Sequence, residues 1–276
     1  MKRFTFLSLI AYCLLLFSCS VNKAKIDNGL KKYFDEHKVD GCFTLLNNAT
    51  GEITVYNMAL DTMRFSPAST FKIVNSMIGL QTGRIINDTM MIRWDGKIRF
   101  YPNGDTATGW NKDMGMTEAF KASSVPYYQE VARRIGRDTM KAWIDSLGYG
   151  NKNIEGPIDS FWLNNKLKIS PDEQLGLVKR LFFDQLPFRK SVQQMLRNVM
   201  LQEDNTAYKL SYKTGWGFDE NKKAIGWVVG WIEENNHVYF FVTFVKAPDA
   251  TTDIGTINMS ITKGILQELG FMVGKK

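Results

Sequence analysis

Apolar positions fall into three kinds of run along the 276-residue chain. The first is a block over residues 4–17, broken only by Thr5, Ser8 and Tyr12, behind Lys2 and Arg3. A spanning helix needs about 20 apolar residues, so this shorter block predicts a signal peptide over residues 1–18. The second kind recurs every three or four positions and predicts helices. These are 26–37, with Ile26, Leu30 and Tyr33 on one face, then 126–135, 139–147, Pro171–Phe182, 191–201 and a closing helix 257–269 before Gly270. The third kind is short and dense and predicts strands. Two such runs, 42–46 and Ile53–Tyr56, flank a turn-rich loop, and two more, 224–232 and 238–246, follow the helices.

The order is therefore strands, helices, strands, helix. Strands at opposite ends of the chain reach a stable pairing only by meeting in space. The expected architecture is α+β: one antiparallel β-sheet built from both chain ends, flanked by helices. Residues 26–272 form a single domain, with an inserted, mostly helical subdomain at about 76–200, and residues 19–25 are a polar tether. A groove between the subdomains is the expected site.

Composition narrows the chemistry. Hydrophobic residues make up 44% and aromatics 13%, which excludes disorder and allows a core without disulfides. Two histidines and three cysteines are too few for a zinc finger, a three-histidine zinc site or an iron–sulfur cluster, so no metal is expected. His37 and His237 both read as surface residues, which leaves a Ser-His-Asp hydrolase without a base. Cys42, in a strand-like run, reads as a small buried hydrophobe. The net charge is +7, falling to +5 without residues 1–18, and the basic residues are spread out. No basic stripe interleaved with aromatics is present, so nucleic acid is not an expected partner.

Ser69-Thr70-Phe71-Lys72 opens an apolar helix. Serine and lysine three apart share a helical face, which brings a hydroxyl nucleophile to a base without histidine. Alone the spacing says little, because Ser20–Lys23 and Ser260–Lys263 repeat it. The middle copy has company in order: Ser123-Ser124-Val125, Tyr149-Gly150-Asn151, Phe161-Trp162-Leu163 and Lys213-Thr214-Gly215-Trp216. Lys-Thr-Gly at a strand offers a cation, a hydroxyl and bare backbone to a substrate carboxylate and amide.

With Arg64-Phe65-Ser66-Pro67-Ala68, Trp94-Asp95-Gly96 and residues 226–231, these motifs make residues 25–272 resemble the class D (oxacillinase-type) serine β-lactamases and related penicillin sensors. The resemblance implies that Ser69 attacks a β-lactam carbonyl and is acylated. It implies that Lys72 is carboxylated by CO2 or bicarbonate, needs no other cofactor, and serves as base in acylation and deacylation. Val125, Trp162 and Phe120 would wall the carbamate pocket, with the Trp162 indole N–H donating to the carbamate. Ser123 would relay a proton to the leaving nitrogen. Lys213, Thr214, Gly215 and Trp216 would bind substrate, with the N–H groups of Ser69 and Trp216 as oxyanion hole. Tyr149 reads as structural. Loops at 94–111, 114–116 and 216–218 would shape the substrate spectrum.

One position departs from the family. Asn258 falls where an arginine usually pairs with the substrate carboxylate, and no arginine follows Arg197. Weaker substrate binding is expected unless Lys246 or Lys263 substitutes. A penicillin sensor shares the serine and lysine but stays acylated, and such sensors usually hang from several transmembrane helices, whereas this sequence carries one apolar segment. A D-Ala-D-Ala peptidase usually has Ser-x-Asn where Val125 stands here. Leu16-Phe17-Ser18-Cys19 resembles a bacterial lipobox, which implies lipid on Cys19 and membrane attachment in the periplasm; the other reading is a plain cleaved signal. The sequence leaves the oligomeric state open.

Overall fold

A computed structural model of the chain describes residues 24–101 and 104–274. The signal peptide, Cys19 and the start of the tether lie outside the described residues. Seven strands form one sheet: β1 Ala24–Ile26, β2 Asp40–Asn47, β3 Ile53–Tyr56, β4 Leu201–Asp204, β5 Lys209–Phe218, β6 Ala224–Glu234 and β7 His237–Lys246. Their order is β1-β3-β2-β7-β6-β5-β4. The two ends of the chain meet at β2 and β7, whose register runs from Asp40 opposite Lys246 to Asn47 opposite Tyr239. Every pairing is antiparallel except that of β1, which lies parallel to β3.

The central strands read as unbroken apolar runs because both faces of the sheet are covered. Alternate residues go to opposite sides. Trp227, Val229 and Trp231 of β6 join one core with Val242 and Phe244 of β7. Val228 and Ile232 join the other with Phe241 and Val245. Full burial of a side chain of this size contributes about 1.5–3 kcal/mol. Cys42 is buried in the first core, as the strand pattern predicts.

Nine helices are described: α1 Lys31–Glu36, α2 Met58–Asp61, α3 Lys72–Gln81, α4 Met116–Lys121, α5 Val125–Ile135, α6 Arg137–Leu147, α7 Pro171–Phe182, α8 Lys190–Met200 and α9 Ile254–Glu268. α7 starts where predicted because its start is doubly specified. Ser170 and Glu173 form a reciprocal capping box, and Pro171 takes the first turn, where its missing N–H is harmless. α9 packs on the second core, with Ile261 and Ile265 buried.

The N-terminal expectation needs correction. Residues 24–26 are strand β1, where a tether and a helix start were expected. Ile26 is about half exposed instead of facing the core with Leu30. Asp27 caps a short 3₁₀ turn through Gly29 N–H, so the helix begins only at Lys31.

Candidate active site

Ser69 sits in a 3₁₀ turn, Ala68–Phe71, that runs into α3 at Lys72. The turn is held from three sides. Trp227 Nε1–H of β6 donates to the Ser66 carbonyl (2.9 Å), and Ser66 Oγ–H donates to the Trp162 carbonyl (3.0 Å). Gln174 of α7 donates to Thr70 Oγ1 (2.6 Å), whose own proton goes to the Pro67 carbonyl (2.7 Å). Ala68 is held at φ +47°, a left-handed backbone immediately before Ser69. Such strain costs on the order of 1–3 kcal/mol and persists only where the surroundings fix it. Here they do.

Lys72 is fully buried, and its Nζ hydrogen-bonds Ser69 Oγ at 2.6 Å. Nζ lies 3.5 Å from Ser123 Oγ and 5.6 Å over the Tyr128 ring. Burial, helped by the charge of Lys213, pushes Lys72 well below the usual lysine range and so toward the neutral amine. Lys213 on β5 reaches the other side of the same hydroxyl, 3.0 Å from Ser123 Oγ and 2.9 Å from the Thr214 carbonyl. Burial pushes it down to about 7. Ser69, Lys72, Ser123 and Lys213 thus form one hydrogen-bonded chain. Ser123, at φ +53°, sits on the turn between α4 and α5.

The residues read as pocket walls divide. Val125 lines the open cavity. Phe120 is buried under Lys213, whose Nζ stands 5.6 Å over its ring. Trp162 is fully buried and stacks on Phe71 with ring centres 5.4 Å apart. Its indole N–H has no hydrogen-bond partner. Sequence reasoning missed the ring beneath Lys72. Tyr128 is one residue in a helix already rich in aromatics, and nothing in its spacing marks it.

The Tyr-Gly-Asn motif is a brace, as Tyr149 was read. Tyr149 packs edge-on to Phe71, at 5.7 Å. Asn151 hydrogen-bonds the carbonyls of Lys166 and Lys168 and the Lys168 N–H. That strand-like stretch then pairs Ile169 with Phe65, just before Ser66. Gly215 is fixed by close approach: a Cβ there would meet the Pro67 carbonyl oxygen and Thr70 Cγ2, both at 3.2 Å. Bare backbone lets β5 slide beside the nucleophile turn.

A cavity of about 660 Å³ opens over Ser69, lined also by Ser123, Val125, Thr214, Gly215, Trp216 and Asn258. Phe100, Tyr101, Trp110, Leu163 and Phe218 make its outer wall aromatic and apolar, and among the described residues no charged side chain lines it. Asn258 of α9 is buried against Gly226, where any Cβ would strike its amide. Its amide oxygen and the Trp216 indole N–H lack partners. Neither expected lysine substitute reaches this wall. Lys246 pairs with Asp219 (3.3 Å) and Lys263 with Glu203 (2.7 Å). Met114 and Met116, expected in a loop shaping the site, are buried and do not line it. No group of three or more His, Cys, Asp or Glu able to hold a metal occurs among the described residues.

The fold and the serine–lysine–serine–lysine chain place a hydroxyl beside a buried amine, and comparison with known proteins gives the class. Residues 41–267 match the penicillin binding protein transpeptidase domain. The chain is 36% identical over 253 residues to the probable β-lactamase YbxI of Bacillus subtilis, covering 92% of this chain and 87% of that protein. It is 37% identical over 236 residues to β-lactamase OXA-48 of Klebsiella pneumoniae, with 86% of each chain covered. Among solved structures, the class D β-lactamase YbxI from Nostoc superposes with a TM-score of 0.82 at 35% identity, covering 89% of this chain and 100% of that one. The C-terminal domain of the Bacillus licheniformis BlaR penicillin receptor gives 0.83 at 28% identity, covering 90% and 97%. The chain belongs to the class D serine β-lactamases.

Proposed function

We propose that this chain hydrolyses β-lactams through an acyl-enzyme on Ser69, with Lys72 carboxylated at Nζ as the base. The observation that carries the reading is a fully buried lysine amine 2.6 Å from Ser69 Oγ, with no carboxylate paired to it among the described residues. A charged lysine is seldom fully buried without a paired anion. This one is stabilised as the neutral amine, whose lone pair can bond to the carbon of CO2 as one proton leaves. The unpartnered Trp162 indole N–H is a buried donor without an acceptor, which fits a carboxylated lysine nearby. Carboxylated, Lys72 supplies an oxygen base in a dry pocket, for the serine and then for the deacylating water.

The remaining roles fall to the chain itself. Ser69 Oγ loses its proton and bonds to the lactam carbonyl carbon. The N–H groups of Ser69 and Trp216 hold the oxyanion. Ser123 Oγ–H, held between the two lysines, gives its proton to the lactam nitrogen as the C–N bond breaks, and Lys213 replaces it. Thr214 and Lys213 hold the substrate carboxylate. Water then cleaves the ester and frees Ser69.

A sensor that acylates and stops would share all of this except the last step, and the likeness to the BlaR domain gives that reading its basis. One experiment separates them: turnover of a chromogenic cephalosporin by residues 20–276, with and without bicarbonate. The proposal expects many turnovers, more with bicarbonate and none in Ser69→Ala. A single stoichiometric burst leaving a stable acyl-protein assigns the sensor role instead. Trp162→Phe keeps the aromatic bulk and removes the N–H, so it is expected to need about tenfold more bicarbonate for half-maximal turnover. An unchanged requirement removes Trp162 from the pocket.

The electroneutral cavity wall makes Lys213 the cation for the substrate carboxylate. Lys213 titrates near 7, charged below and neutral above. kcat/KM should therefore fall as pH rises past about 7, while the other limb rises as Lys72 loses its proton. Asn258→Arg restores a charge-assisted pair. It is expected to lower KM for penicillins about tenfold and to flatten the alkaline limb. Unchanged KM and pH profile would show that Asn258 does not face the carboxylate. On the lipobox alone, we place the protein in the periplasm with lipid on Cys19. Loss of membrane fractionation in Cys19→Ser tests that.

A further inference from the structure

A second cavity, of about 310 Å³, adjoins the catalytic one. The two share Trp110 as a wall, and Ser124, between Ser123 and Val125 of the catalytic cavity, lines the second. Its size is at the lower end of small-molecule sites.

Four observations give this cavity a chemistry. First, Ser124 is fully buried, and its Oγ has no hydrogen-bond partner among the described residues. It stands at the N-cap of α5, where a serine usually accepts from its own helix, but its side chain makes no such bond. Residue N2 of that helix is Pro126, which has no N–H to give. A buried hydroxyl left open in this way asks for a ligand oxygen.

Second, the cavity has an excess of cation. Of its acidic lining residues, Glu130 is taken by Arg133 and Arg134, and Asp95 by Arg99. Arg93 also lines it and has no ion pair among the described residues. Third, the same cavity adjoins the start of the eleven-residue helix α5, the end that favours negative charge.

Fourth, the rings in its wall offer only carbon. Trp94 Nε1–H donates to the Lys97 carbonyl (2.9 Å), Trp110 Nε1–H to the Ala122 carbonyl (2.9 Å) and Tyr127 O–H to the Met90 carbonyl (3.2 Å). Their polar ends are satisfied, so what they present to a ligand is apolar ring surface.

An open hydroxyl, an unmatched guanidinium and three satisfied aromatic rings in one cavity point to one ligand class. We propose that this cavity is a second ligand site, separate from the catalytic cavity, for a small carboxylate that carries an aromatic ring. Arg93 and Ser124 Oγ–H take the carboxylate. Trp94, Trp110 and Tyr127 enclose the ring.

Phenylacetate is the probe, titrated into the whole protein by calorimetry. Acetate carries the charge without the ring, and benzyl alcohol the ring without the charge. The expected result is saturable, one-to-one phenylacetate binding, with both fragments at least tenfold weaker. Arg93→Glu weakens phenylacetate at least tenfold. Arg93 is exposed, so the variant should melt with the parent; if it does not, Arg93→Gln carries the same comparison. Lys213→Ala, which removes the cation of the catalytic cavity, leaves phenylacetate affinity unchanged. Loss of binding in Lys213→Ala with no loss in the Arg93 variants would place phenylacetate over Ser69 and overturn the proposal. Absence of saturable binding to the parent protein would overturn it as well.

Discussion

Lys72→Ala is expected to lower kcat for a β-lactam by about 10²–10⁴-fold, the range over which a positioned base acts. The residual rate should no longer respond to bicarbonate. The substitution removes a side chain that is fully buried and inclined to neutrality, so no counter-ion is stranded by its loss. What remains is a cavity beside Tyr128, which costs stability without exposing a charge. The melting temperature should fall by a few degrees while the fold persists. Ser69 stays in place on its braced turn, so slow acylation should still be visible by mass spectrometry. Its contrast is Ser69→Ala, which forms no adduct at all. If Lys72→Ala turns over at the parental rate, or keeps its bicarbonate response, the base is another group and the lysine is packing.

Gly150→Ala should be the most damaging single methyl group in the protein. Gly150 is at φ +51°, and a Cβ there would run into the Lys168 carbonyl oxygen and the backbone beyond it. Backbone cannot turn aside as a flexible side chain can. Strain and overpacking together are expected to cost about 2–5 kcal/mol. The damage should also travel. Residues 166–168 are held by Asn151, and Ile169 pairs with Phe65, one residue before Ser66. Displacing that stretch loosens the turn that presents Ser69. The variant should therefore lose kcat as well as melting temperature, and chemical denaturation read beside turnover checks both. A variant that melts with the parent would show that the 149–151 turn can relax.

The chemistry was more legible than the scaffold. The 69–72 spacing and Lys213-Thr214-Gly215 single out residue types, not merely polarity, and the structure brings Ser69, Lys72, Ser123 and Lys213 together. Strands β6 and β7 were legible because dense apolar runs of that length leave few alternatives. β1 was not. Its three residues are all exposed, so no alternation betrays it, and only the neighbouring β3 makes it a strand. α4 and the short α2 were likewise passed over, because six and four residues give the helical period too little room. Tyr128 under Lys72 and Asn258 against Gly226 are long-range contacts. Their partners are separated by dozens of residues or by whole elements, and single-sequence patterns hold no record of such meetings. Trp94-Asp95-Gly96 belongs to the 94–111 loop, whose expected role is to shape the substrate spectrum. Trp94 and Asp95 help to line the second cavity.

The meeting of β2 with β7 also sets an order of events in folding. Asp40 and Lys246 are about two hundred residues apart in sequence. Closing so long a loop is entropically expensive, and topologies dominated by such pairings fold slowly. The Ser69 turn and α3 emerge early in synthesis, but the strand that carries Lys213 and the strand that closes the sheet come late, with only α9 after them. Until β5 arrives, Ser123 and Lys72 lack Lys213, the residue that completes their hydrogen-bonded chain. The Ser69–Lys72–Ser123–Lys213 chain is thus a product of late assembly, and a chain interrupted before β5 carries Ser69 and Lys72 without Lys213.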